Sequence, residues 1–135
     1  ESGLLEGALL HNSHQQFICK NVFLKPVTTS AAITKALSID KAYQIPIAHG
    51  EGRFYAAEEM MQSIIDNDQI LFKYCNESAE VNDTNNPNGA LMNIAGITNK
   101  SKNVFGMMPH PERAADRFLA NEDGRALFDS LLKHC

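Results

Sequence analysis

The sequence feature that most constrains the fold lies near the end of the chain, where an apolar run meets two prolines. Residues 104–108 are apolar and predict a buried strand, and residues 109–112 (Pro-His-Pro-Glu) follow directly. Proline fixes its own φ and pushes the residue before it towards extended geometry. Met108 and His110 are therefore predicted to stay out of the helical region. The chain should turn at the end of this strand before a helical segment begins near Ala114.

Composition bounds the class of protein. The chain has 135 residues, 44% of them hydrophobic, and no apolar stretch approaches the roughly 18–20 residues that a membrane helix needs. No basic segment followed by an apolar one stands at the start, so no signal peptide is visible. The net charge is -4 and the Lys and Arg residues are scattered, which gives no electrostatic support for binding nucleic acid. We expect one domain, or part of one, in the cytoplasm, with no membrane and no nucleic-acid partner.

The hydrophobic pattern predicts five strands and three helices. The strands are residues 17–25, 43–48, 69–75, 92–98 and 103–108, and the helices are residues 56–66, 112–119 and 124–133. Residues 1–10 have the pattern of a helix tail with a glycine break, and residues 28–37 fit either a loop or a short helix. Such a mixture predicts an α/β or an α+β fold, and the pattern alone does not separate the two.

His110 and Glu112 are the first candidate site. Glu112 lies two positions after His110 in an extended stretch, so the two side chains can project the same way. A carboxylate near one imidazole nitrogen selects the tautomer and leaves the other nitrogen to move a proton. The alternative is a simple turn in which Glu112 is an acid favoured at a helix start.

A second candidate follows the predicted strand 43–48. His49, Gly50, Glu51 and Gly52 place two glycines around an acid, which predicts a sharp turn or a backbone that closely approaches a ligand. Sites in α/β proteins collect beyond strand ends. We therefore consider His49, Gly50 and Glu51 as substrate-binding residues for an amino acid or amide, against the alternative of an exposed glycine turn.

Two further groups are weaker candidates. His11 and His14 have a spacing that could bind metal on a helix, but the residues between them favour a turn and no other ligands lie near, so we predict no metal site. Cys19, Cys75 and Cys135 form neither an even set nor a CxxC pair. None of the three lies in the small-residue turn that displays a catalytic thiolate, so each is expected to be structural or incidental.

Three motifs occur in an order that resembles a known family. They are residues 45–52 (Ile-Pro-Ile-Ala-His-Gly-Glu-Gly), 86–89 (Asn-Pro-Asn-Gly) and 106–113 (Gly-Met-Met-Pro-His-Pro-Glu-Arg). The chain resembles the class I, triad-type glutamine amidotransferases over essentially its whole length. Within that family it is similar to the glutaminase subunit or domain of phosphoribosylformylglycinamidine synthase.

The resemblance implies a flavodoxin-like, doubly wound α/β domain with a Cys-His-Glu triad. His110 would match the general acid/base and Glu112 the acid that orients it. A thiolate attacks the side-chain amide of glutamine, and the ammonia released serves the ATP-dependent amidation of formylglycinamide ribonucleotide in purine biosynthesis. The implied partners are a large synthetase subunit and a small bridging subunit. No cofactor is implied for this chain, because ATP and magnesium are used by the synthetase.

The sequence also departs from the family. The nucleophile of these enzymes lies in a Gly-x-Cys-Asn-Gly turn, and this chain begins just after the matching position. Residues 1–135 are therefore expected to be the C-terminal part of a single amidotransferase domain, without the first strands and the nucleophile, and inactive alone. His11 also stands where relatives usually carry Arg. A non-catalytic adaptor that binds a synthetase subunit is the alternative, and a metal-dependent hydrolase using His110 and Glu112 is a third.

Overall fold

The structure is a computed structural model that describes residues 3–119 and 121–134. It is built from a five-stranded sheet, a two-stranded sheet and two α-helices. The strands are β1 (Ala8–Leu10), β2 (Ile18–Pro26), β3 (Tyr43–His49), β4 (Arg53–Tyr55), β5 (Ile70–Cys75), β6 (Ile94–Thr98) and β7 (Phe105–Met107), and the helices are α1 (Glu58–Asp66) and α2 (Asp123–His134). Within the described residues, neither helix is long and apolar enough to cross a membrane.

The five-stranded sheet has the order β3-β2-β5-β6-β7, and each neighbouring pair is antiparallel. β2 is the longest of these strands, and it pairs with β3 from Ile18↔His49 to Leu24↔Tyr43. β3 and β7 form the two edges. The short strands β1 and β4 pair with each other in a separate antiparallel sheet.

Alternation along the strands places the core. In β3 the buried positions are Tyr43, Ile45, Ile47 and His49, the alternate residues of the strand. Successive side chains of a strand point to opposite faces, so His49 lies on the same face as the isoleucines. β6 is buried at every position. A strand buried on both faces is expected to have a continuous apolar sequence, as residues 94–97 (Ile-Ala-Gly-Ile) do before the buried Thr98.

All five predicted strands form, and the structure adds two that the pattern missed. β1 replaces part of the helix tail predicted over residues 1–10, which is therefore wrong for residues 3–10. Gly3 and Gly7 have φ of 69° and 86°, in the left-handed region that interrupts a helix. Glu1 and Ser2 lie outside the described residues.

Two of the three predicted helices are confirmed and the third is wrong. α1 and α2 are confirmed within two residues at each end, and the apolar side chains of Met60 and Ile65 on α1 are 39% and 42% exposed. The helix predicted over residues 112–119 is wrong, because two short 3₁₀ turns, Pro111–Ala114 and Arg117–Leu119, take its place. The Asp116 side chain accepts a hydrogen bond from the Phe118 amide at 2.8 Å, and such local bonds compete with helix formation.

Residues 28–37 form turns rather than the short helix that was one of the two expectations. The Thr34 amide donates to the Ala31 carbonyl and the Leu37 amide to the Thr34 carbonyl, both at 3.0 Å. These are isolated bonds across three residues, so the segment is a series of turns.

Candidate active site

The His110–Glu112 pair forms as predicted. His110 precedes the turn Pro111–Ala114, with Pro111 at its first position and Glu112 in its first turn. The His110 Nδ1 atom lies 2.9 Å from Glu112 Oε1. The carboxylate can only accept, so Nδ1–H donates and Nε2 is left to take up or give a proton. The His110 side chain is 32% exposed, which leaves it accessible to a reacting group.

The backbone around His110 is tied to the sheet. The His110 amide donates to the Pro46 carbonyl of β3 at 2.8 Å, and the Arg113 amide donates back to the His110 carbonyl at 3.1 Å. The Arg113 side chain also approaches Glu112, with Nε 3.9 Å from Oε1. The imidazole is therefore positioned both by its own turn and by the edge strand of the sheet.

His49 is buried in a polar cluster that joins three loops. Its Nδ1 atom lies 3.0 Å from Asn12 Oδ1, and its Nε2 atom lies 3.5 Å from Asn88 Nδ2. The Asn88 amide donates to the Gly52 carbonyl at 2.8 Å and approaches the Tyr74 hydroxyl at 3.4 Å. Asn12, His49, Asn88 and Tyr74 are each at most 5% exposed. We call these four residues the polar cluster.

Burial and a neighbouring charge favour the neutral form of His49 by lowering its pKa. Burial lowers the pKa of His49 from its ordinary value, and the charge of His110 lowers it further. Pro46, which binds the His110 amide, lies three residues before His49, roughly 10 Å at the usual rise of a strand. The structure thus places His110 beside the middle of β3, the strand that ends at His49.

The remaining residues of the second candidate point elsewhere. Glu51 is exposed and pairs with His11, with 3.4 Å between Glu51 Oε1 and His11 Nε2. Gly50 is open, since an added Cβ would meet only a carbon of Phe17 at 4.0 Å. Gly52 is closed, because an added Cβ would lie 2.4 Å from the His49 ring. His49 therefore faces inward from this turn and Glu51 faces outward.

His14, Cys19 and Cys75 lie outside these two groups of candidate residues. His14 accepts the Gln16 amide at Nδ1, and its Nε2 lies 3.3 Å from the Pro87 carbonyl. Burial raises the pKa of the Cys75 thiol to about 11, which keeps it protonated. Cys19 is exposed on β2, opposite Ala48 of β3. Cys135 lies outside the described residues.

Asn12, Asn88 and Tyr74 were not predicted as site residues. Asn88 had a signal, because it belongs to the Asn-Pro-Asn-Gly motif, one of the three motifs that carry the family resemblance. The inward position of His49 could also have been found, since it continues the alternation of Ile45 and Ile47. Asn12 had no signal, because its place in the cluster depends on contacts 37 and 40 residues away in the chain.

Comparison with known proteins identifies the family of the chain. The model of the CobB/CobQ-like glutamine amidotransferase domain matches residues 5–128, so the chain belongs to this family of glutamine amidotransferase domains. It is similar to proteins named phosphoribosylformylglycinamidine synthase subunit PurQ. The relative from Aquifex aeolicus is 50% identical over 98% of this chain and 58% of its own length. The relative from Chlorobium luteolum is 46% identical, with the same two coverages.

A solved structure, "Structure of PurLQS from Thermotoga maritima", superposes with a TM-score of 0.78 at 38% identity, covering 97% of this chain and 54% of that one. The predicted family and α/β fold class are thereby confirmed. The chain spans a little over half the length of the relatives it matches. In the described residues the sheet is entirely antiparallel.

Proposed function

We propose that the full-length protein carrying this chain is the glutaminase component of a phosphoribosylformylglycinamidine synthase. It would hydrolyse glutamine to glutamate and ammonia for the amidation of formylglycinamide ribonucleotide. The observation that carries the proposal is the 2.9 Å contact between His110 Nδ1 and Glu112 Oε1 within a glutamine amidotransferase domain. The names of the relatives supply the particular reaction.

In this mechanism the pair moves protons. Glu112 holds His110 with its proton on Nδ1 and stabilises the imidazolium that forms when Nε2 accepts a proton from a thiol. The thiolate attacks the amide carbon of glutamine, and the proton on Nε2 then passes to the leaving nitrogen as ammonia departs. Water hydrolyses the thioester with Nε2 as the base.

We propose further that the nucleophilic cysteine comes from outside these 135 residues. Cys75 is buried with a raised pKa, which disfavours the thiolate that attacks glutamine. Cys19 lies within β2, without the sharp turn that displays a nucleophile. The coding sequence upstream of Glu1 should encode a cysteine in a Gly-x-Cys-Asn-Gly-type turn, and its absence would favour a non-catalytic adaptor.

Partner assembly is part of the same proposal. Because the matching solved structure is described as PurLQS, we propose that the full-length protein works with a large synthetase subunit and a small bridging subunit. ATP and magnesium would then be used by the synthetase. His49, Gly50 and Glu51 are proposed to contribute to the glutamine side of the site, with His49 acting from beneath it.

The test is glutamine hydrolysis by the full-length protein, alone and with the synthetase partner. His110→Asn should lower kcat by a factor of about 100 or more, in the range lost with a general acid–base group. His134→Asn, at an exposed histidine in the last turn of α2, is the matched control and should keep most of the activity. Equal activity of the two variants would refute the assignment. Cysteine-dependent hydrolysis by residues 1–135 alone, abolished by Cys19→Ser, would refute the proposed origin of the nucleophile.

A further inference from the structure

Every polar atom of the Asn12 side chain is hydrogen-bonded, either to its own loop or to residues 49–52. Its Nδ2 donates to the carbonyls of Gln16 and His49, at 2.8 and 2.9 Å. Its Oδ1 accepts from His49 Nδ1 at 3.0 Å and from the Gly52 amide at 3.2 Å. Its own backbone amide donates to the Gly50 carbonyl at 2.9 Å. A side-chain amide has two N–H donors and one oxygen with two lone pairs, so this set is complete.

The completed set fixes the tautomer of His49. Both N–H groups of Asn12 are directed to carbonyls, so the atom facing His49 Nδ1 is an oxygen and Nδ1 carries the hydrogen. The lone pair then lies on Nε2, which faces the amide of Asn88 at 3.5 Å. A proton added to Nε2 would meet that amide donor to donor. The cluster therefore accommodates the neutral ring and opposes the charged one.

The conformation of residues 50–52 and the orientation of the His49 ring depend on each other. The His49 imidazole lies against Gly52, where an added Cβ would be 2.4 Å from both Nδ1 and Cε1. Any displacement of the ring changes the space over Gly52, and any change at Gly52 alters its bonds to Asn12 and Asn88. The path of residues 50–52 thus depends on the orientation of one buried ring.

We propose that Asn12 is a positioning residue of the glutaminase site, which fixes His49 as the neutral Nδ1–H tautomer and thereby holds residues 50–52 in the shape that binds glutamine. This inference rests on the proposed function, because it assigns glutamine binding to that turn. Asn12 acts through His49 and Gly52 and has no direct part in the chemistry.

The charged groups around His49 make the effect dependent on pH. His110 faces it from the turn after β7, and His14 from the loop that also carries Asn12. The Tyr74 hydroxyl of β5 lies 3.4 Å from the Asn88 amide nitrogen, and burial raises the pKa of that hydroxyl, so it stays neutral. Glu51 is exposed in the same turn, paired with His11. The residues bonded to the His49 ring, Asn12 and Asn88, are both uncharged.

The decisive variant is Asn12→Asp, which keeps the acceptor for Nδ1–H and removes both N–H donors. It also places a carboxylate against His49 in the way that Glu112 lies against His110. In the full-length protein with ¹⁵N-labelled histidine, we expect the titration of His49 to move up by at least one pH unit. Below the new titration midpoint of His49, the KM for glutamine should rise tenfold or more, while kcat stays within threefold of the unmodified protein. The acid limb of the kcat/KM profile should shift to higher pH.

Asn12→Ala is the second variant, in which the loss of the Nδ1 acceptor should release the tautomer and raise KM without the added charge. Asn103→Ala, at an exposed asparagine in another turn, is the matched control and should change neither the His49 titration nor the KM for glutamine. A His49 titration unchanged in Asn12→Asp would overturn the inference, and so would a changed titration with an unchanged KM. Absence of glutaminase activity in the unmodified full-length protein would instead refute the proposed function, while the titration would still report on the tautomer.

Discussion

Gly124 is the position where the packing beneath the site can be tested most directly. It is the second residue of α2, and an added Cβ would lie 2.1 Å from the Pro111 carbonyl oxygen and 2.8 Å from that of Ala114. Ordinary contacts of a Cβ are 3.4–4 Å, so α2 and the turn that carries Glu112 would have to separate by more than an ångström. Both oxygens belong to the backbone, so they cannot move aside by changing a rotamer.

Two effects of Gly124→Ala oppose each other. Replacing glycine by alanine within a helix stabilises by about 1 kcal/mol, whereas overpacking a close contact typically costs about 1–3 kcal/mol and occasionally more. Since the contact here is far inside van der Waals distance, we expect the larger cost and a net loss of about 2 kcal/mol in the free energy of unfolding. Urea unfolding followed by circular dichroism measures it, with Arg125→Ala on the exposed side of α2 as the control. A stabilised variant would show that the helix does not approach the turn this closely.

Three other predictions concern stability. Ser130→Ala should cost about 1–3 kcal/mol, because the buried hydroxyl accepts the Ala36 amide at 2.9 Å and donates to the Ala32 carbonyl at 2.7 Å; equal urea midpoints would contradict it. Met92→Gly should raise the melting temperature, because Met92 has φ of 53° and a half-exposed side chain. Glycine adopts this left-handed conformation without strain, which is worth about 1 kcal/mol. A lowered melting temperature would contradict the claim that the backbone at Met92 is strained. The third prediction concerns pH, because folding lowers the pKa of His49 from its ordinary value of 6.5. As the pH falls, the unfolded chain therefore binds a proton at this histidine before the folded chain does. The free energy of unfolding should fall as the pH drops below 6.5 and level off below the lowered pKa of the folded chain. His49→Gln should reduce that pH dependence, and an unchanged slope would contradict it.

The sequence predicts those parts of the fold that short-range pattern controls. Alternation and apolar runs located the strands of the five-stranded sheet, and the spacing of prolines at residues 109–111 placed His110 at the end of β7. The helix predicted over residues 112–119 failed because Asp116 bonds locally to the backbone, which periodicity does not register. β1 and β4 were missed because each is a three-residue strand stabilised by its distant partner rather than by its own composition.

In the candidate site, too, contacts between residues close in the sequence were predictable and contacts between distant residues were not. His110 and Glu112 are two residues apart, so their contact follows from local geometry and was predictable. Asn12 reaches His49 across 37 residues, and only the folded chain brings them together. Side-chain amides such as these have no periodic signature, because they are placed where buried backbone groups need partners.

β3 explains how the local and the distant parts become one site. It is an edge strand, so the outward N–H and C=O groups of alternate residues lack a neighbouring strand. The segment after β7 supplies the partners: Asp123 accepts the Gln44 amide at 2.8 Å, Asn121 donates to the Gln44 carbonyl at 2.7 Å, and the His110 amide donates to the Pro46 carbonyl. Proline has no N–H, so at position 46 it leaves no outward donor unpaired. The bonds that cover this edge therefore also set where His110 lies relative to His49, and Pro46, whose carbonyl accepts the His110 amide, takes part in positioning that histidine.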